Sequence, residues 1–102
     1  DEEQRALNRI LKADVQGSIE AIGEVLKSLP QKNVVLRILK SEVGEIQESD
    51  IRLAKDSKAR VIGFRVKVNP VAVKLAEREN IQIATFDIIY ELAQGVRALM
   101  EK

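Results

Sequence analysis

Asp14, Gln16, Ser18, Ser41, Glu42, Glu45 and Asp87 are the polar side chains placed to support chemistry, because each lies just beyond an apolar run that reads as a β-strand. In an open parallel sheet such positions converge outside the carboxyl ends of the strands, where ligands bind. Two of these carboxylates would serve as acid and base if their surroundings drove their pKa values apart. Nothing in the spacing requires that split, and solvated turn residues and helix caps account for the same acids. Gly17-Ser18 at a helix start could hold a phosphate on its amides. The stretch lacks the three glycines of a dinucleotide fingerprint and the Gly-Lys-Ser/Thr of a P-loop, so a structural turn is the simpler reading.

Composition removes most other chemistry. The 102 residues include no Cys and no His, which excludes disulfides, thiolate metal sites and the commonest general base. Seventeen basic against sixteen acidic side chains leave a net charge of +1, too little to draw in nucleic acid by overall field. Any RNA contact must then be local. Arg9, Lys12, Arg37, Lys40, Arg60, Arg65 and Lys67 flank strands and offer a direct RNA-binding alternative, but only Phe64, Phe86 and Tyr90 supply rings for stacking. A scattered solvated set is the plainer account. A phosphoacceptor receiver domain fails because the third strand ends Phe64-Arg65-Val66-Lys67, without an aspartate to accept the phosphoryl group. No apolar run approaches the ~20 residues of a spanning helix, so no membrane partner is expected. The sequence starts at Asp1 without a charged n-region or an apolar h-region, which reads as a cytoplasmic or organellar piece of something longer.

The elements that must position these residues follow from periodicity. Apolar β-type runs at 7–13, 34–39, 60–66 and 81–86 are each followed by a helical pattern, which predicts one α/β domain over residues 1–102 with a parallel sheet. Helix one presents Ile19, Ile22, Leu26 and Leu29 on one stripe, starts on Gly17, Ser18 and Glu20, and stops at Pro30. Gly17 is expected to allow a positive φ or a close backbone approach. Helix two, around 48–55, rests on Ile51, Leu53 and Ala54. Helix three has Asn69 as N-cap, Pro70 in its first turn, Ala72, Leu75 and Ala76 on one face, and Asn80 as a left-handed cap. Helix four runs from about residue 87 to the end with Ile89, Leu92, Val96 and Leu99 on one stripe.

Strand two alternates, with Val35, Arg37 and Leu39 on one face and Val34, Leu36 and Ile38 on the other, and an Arg in mid-strand suits an edge. Right-handed crossovers then predict the order 2-1-3-4 in a three-layer α/β/α sandwich, with helix one on one face and helices two and three on the other. Arg9 is awkward in a central strand, softened only by its nearness to the strand start. In the second glycine loop, 41–46, Gly44 supplies a backbone bend and Val43 and Ile46 pack beneath it.

Three segments taken together carry a family resemblance: LNRILKADVQGSIEA at 7–21, VGEIQESDIRLA at 43–54 and IGFRV at 62–66, with IIYEL at 88–92 near the end. They resemble the third conserved domain of bacterial-type translation initiation factor 2, over nearly the whole chain and in the right order. The resemblance implies a four-stranded parallel α/β/α domain inside a GTPase that stabilises initiator tRNA on the small ribosomal subunit and promotes subunit joining. It places a GTP-binding domain and a β-barrel before this piece, and an initiator-tRNA-binding barrel after it, reached through a connecting helix. Arg9 departs from the apolar residue usual at its position, and Arg65 stands where Asn is frequent.

Together the resemblance and the missing catalytic set imply a non-catalytic spacer and relay, monomeric, with the ribosome and the neighbouring domains as partners and initiator tRNA engaged through the following domain. No cofactor is expected in this domain, GTP and Mg belonging to the GTPase domain of the full-length factor. Asp14, Gln16, Gly44 and Glu45 are the candidate partner contacts on the rim, and residues 97–102 form the candidate exit. The rival readings are a direct rRNA-binding module and a small phosphate-handling α/β enzyme using Asp14 and Ser18.

Overall fold

In β1 (Arg5–Ala13) successive side chains pass to opposite faces, and each face carries buried apolar residues. Leu11 and Ala13 enter one core and Ile10 enters another, so this strand must be covered on both sides. The computed structural model of the chain describes residues 5–31 and 34–100. After β1 come α1 (Gln16–Lys27), β2 (Val34–Val43), α2 (Glu48–Ser57), β3 (Arg60–Phe64), α3 (Pro70–Glu79), β4 (Ile83–Phe86) and α4 (Ile89–Met100). All three strand pairings are parallel, and the order is β2-β1-β3-β4, the expected α/β/α sandwich.

Two cores define the layers. Ile19, Ile22 and Leu26 of α1 and Leu92, Val96 and Met100 of α4 pack with Leu11, Ile62 and Phe64 on one side of the sheet. Ile51 and Ala54 of α2 and Ala72, Leu75 and Ala76 of α3 pack with Ile10, Val61 and Ile46 on the other. The split of helix one against helices two and three is as expected, and α4 joins α1. In α3, Asn69 accepts a hydrogen bond from Val71 N, Pro70 opens the helix and Asn80 closes it at φ 60°, all as its sequence predicts.

Several boundaries differ, each for a local reason. Helix α1 begins at Gln16, so Gly17 is helical and Gly44 is the positive-φ glycine of the described residues. Its N-cap is the extended Val15, and it ends at Lys27 with Ser28 N–H bonded back to the last turn, before Pro30 is reached. Helix α2 runs on to Ser57, α4 starts at Ile89, and β4 starts at Ile83 because Ile81 N–H is used in closing α3. Strand β3 stops at Phe64 because Arg65 takes a left-handed φ of 57°. The expected course of helix four through 101–102 lies outside the described residues.

Strand β2 runs four residues beyond its expected end, to Val43, and its alternation fails at Leu39. Arg9 faces Ile38 and Ile10 faces Lys40, which leaves Leu39 as the extra residue of a bulge. One inserted residue exchanges the two faces of everything downstream. Leu36 and Ile38 therefore lie with Leu11 on the α1 side, while Lys40 and Glu42 lie over Ile10 and Lys12 on the α2 side. Arg9 is 4% exposed in mid-strand, not at a softened end.

Candidate functional site at the strand ends

The loops beyond the strand ends form one rim, held chiefly by backbone bonds. Gly44 N donates to Ala13 O at 2.9 Å, which sets the bend after β2 beside the turn after β1. Gly44 makes that bend at φ 126°, a backbone conformation that L side chains rarely adopt. Ile46 N donates to Lys67 O and Asn69 N to Ile46 O, at 3.0 and 2.9 Å, joining the loops after β2 and β3. Arg65 N donates to Phe86 O at 2.9 Å and its Nε to Asp87 O at 3.0 Å, joining the loops after β3 and β4.

The acids of the rim are engaged in structure. Asp14 Oδ1 accepts from Val15 N at 2.9 Å and from Ser18 Oγ at 2.8 Å, so the start of α1 is fixed by Asp14, with Ser18 donating rather than capping. The Ser18 hydroxyl, followed by the Val15 amide and Arg65, holds the Asp14 carboxyl below the usual carboxylate range. A lowered pKa suits a fixed anion and not a general acid. Glu45 accepts weakly from Asn69 Nδ2 at 3.4 Å. Gln16, Glu45 and Asp87 are exposed, as are the apolar side chains of Val15, Val43, Ile88 and Tyr90. Val43 is therefore not packed beneath the glycine loop, whereas Ile46 is fully buried there. Ser41 and Glu42 belong to β2 and not to a loop. Among the described residues no group of three or more His, Cys, Asp or Glu is assembled for a metal ion.

An ion cluster beneath the rim, centred on buried Asp50 and Lys12 and reaching out to exposed Glu42, was not expected from the sequence. Lys12 Nζ donates to Asp50 Oδ2 and to Glu42 Oε1, each at 3.1 Å, and Lys40 Nζ donates to Asp50 Oδ1 at 2.9 Å. Two ammonium groups and two carboxylates balance, with Asp50 completely buried and Lys12 nearly so. Asp50 Oδ2 also accepts from Gln47 N at 2.8 Å, which caps α2. Burial pushes the Asp50 carboxyl up, but the Gln47 amide and the two lysines outweigh it and the net shift is downward. The same bond to Asp50, against burial, raises Lys40, and the Lys12 bond leads those that lower Glu42. A Lys between Leu11 and Ala13 of an apolar strand, with Lys40 and Glu42 two apart on the next, was the available signal. Of the seven basic residues considered for RNA, Arg9 and Lys12 are buried and Lys40 is paired, while Arg37, Arg60, Arg65 and Lys67 are exposed.

The family model of Translation-initiation factor 2 matches residues 1–97. The chain is 47% identical over 95 residues to the chloroplastic translation initiation factor IF-2 of Arabidopsis thaliana, covering 93% of this chain and 9% of that protein. It is 45% identical over 97 residues to the translation initiation factor IF-2 of a Chlamydia trachomatis strain, covering 95% and 11%. Among solved structures, GDP-bound aIF5B from Aeropyrum pernix aligns with a TM-score of 0.73 at 28% identity, over 95% of this chain and 17% of that one. The chain thus spans about a tenth of the length of the curated relatives it matches. A match over nearly every residue, together with the shared layered fold, leaves one assignment: the chain belongs to the translation initiation factor 2 family.

Proposed function

We propose that this chain is a non-catalytic spacer and relay within a longer initiation factor, holding a GTPase part and an initiator-tRNA-binding part at a fixed separation. GTP and magnesium belong to the preceding GTPase domain, and the factor works as a monomer on the ribosome, in the cytoplasm or in an organelle. The chloroplastic relative keeps the organelle within this reading. The observation that carries it is the use of the polar strand-end groups. Asp14, Glu42 and Asp50 are held by hydrogen bonds from the chain itself, so charge is spent on fixing the body. Two cores clamp the sheet from both sides. Contacts with ribosome or neighbouring domains then fall to the rim, at exposed Gln16 and Glu45 and half-buried Asp14 and Gly44, and to the end of α4.

Chemical footprinting of the full-length factor on the initiation complex tests the rim. With Gly44→Ala and Glu45→Gln introduced, protection at this rim is expected to be lost, with nucleotide hydrolysis by the unbound factor unchanged. Protection identical with and without the replacements would remove the rim from the interface.

A further inference from the structure

We propose that Arg9 and Arg60 form the cationic end of a socket that takes a protein segment carrying a carboxylate side chain beside one or two apolar side chains. The socket goes beyond the spacer reading and lies away from the rim, since Arg60 is the first residue of β3. Arg9 is 4% exposed, yet its guanidinium donates to the neighbouring Asn8 carbonyl at 2.8 Å, and no carboxylate among the described residues pairs with it. A guanidinium stays charged, and a charge taken out of water without a partner is costly. Burial first, and the like charge of Arg60 second, lower the Arg9 pKa, so the surroundings oppose this cation instead of compensating it. An approaching anion would offset both costs.

Beside the two arginines, on the α4 side of the sheet, lies a cavity of about 280 Å³ walled by Ile62, Ala84, Phe86, Val96 and Leu99. That volume is just below the roughly 300 Å³ at which pockets for drug-sized ligands begin. It admits a leucine-sized or phenyl side chain with a carboxylate at its edge. Apolar walls also favour a peptide over an RNA backbone, whose sugar and phosphate leave such walls unfilled. Arg supplies the fork geometry that a carboxylate accepts from two donors at once.

Amide chemical shifts of the 102-residue chain, titrated with acetyl-Glu-Leu-Leu-amide, acetyl-Gln-Leu-Leu-amide and the phosphodiester uridylyl-uridine, test the socket. The Glu peptide is expected to move the Val61, Ile83 and Val96 amides along a saturable curve, and the Gln peptide to bind roughly tenfold more weakly. Arg9→Leu should fold, melt at a higher temperature because a buried charge is gone, and lose the preference for Glu over Gln. Arg60→Gln, at an exposed position, should weaken the Glu peptide severalfold without destabilising the fold. Equal binding of the two peptides, tighter binding of the phosphodiester, shifts confined to other surfaces, or no saturable binding of any probe would each overturn the proposal.

Discussion

Asp50 ties three elements together through one carboxylate: it caps α2 at Gln47 N and takes Lys12 from β1 and Lys40 from β2. Removing one member of such a group strands the others, so Asp50→Asn should destabilise the fold by about 3 kcal/mol, read from urea denaturation. The pH dependence has a definite sign. A carboxyl whose folded-state pKa lies below its unfolded value contributes stability above about pH 4, and loses it as pH falls through the lowered folded value. The stability gap between the native chain and Asp50→Asn should therefore close on acidification. A gap that stays constant from neutrality to below about pH 3 would contradict the assignment. Asp50 was not legible as a core residue, because a polar residue in the first turn of a helix reads as a solvated cap. Burial came from two lysines long enough to reach it. Arg65 was a similar case: its left-handed φ gives a reason for Asn at this position in the resemblance, since Asn tolerates that region better than most residues.

At the scale of elements, periodicity made the parallel sheet and the four helices readable, because apolar residues at a period of two or 3.6 leave few other solutions, and the strand order followed from an edge-type second strand and right-handed crossovers. The ends were less readable, since they depend on individual φ angles and on bonds between distant loops. The bulge at Leu39 left no trace in residue type, and it turned Lys40 and Glu42 toward Asp50. Gly63 shows the same long-range dependence. It sits in β3 between Lys12 and Thr85, and a Cβ there would lie 2.8 Å from Ile46 Cδ1 and 3.0 Å from Val66 Cγ2. Ile46 is fully buried and has little room to withdraw. Gly63→Ala should cost about 1–3 kcal/mol from overpacking. Adding Ile46→Val, which removes the conflicting methyl, should recover part of it in the same denaturation assay. An additive double variant would place the conflict elsewhere.

For the whole molecule, two cores on one sheet and a neutral ion cluster beneath the rim tie the elements into one body, 40 × 29 × 18 Å along its principal axes. The proposed relay would change its angle to its neighbours and keep its own shape. The candidate contacts were legible as strand-end residues, but which of them face a partner was not, because nothing in one chain encodes the partner surface. The absence of Cys makes paired spin labels at Glu20→Cys on α1 and Glu77→Cys on α3 specific within this chain. In the full-length factor with its other cysteines removed, the distance between these labels is to be compared in the GDP- and GTP-bound states, alongside a distance from Glu77→Cys to the GTPase part. A single unchanged distance inside this chain, with a shifted distance to the GTPase part, is the predicted result; a change between Glu20→Cys and Glu77→Cys would contradict the rigid relay.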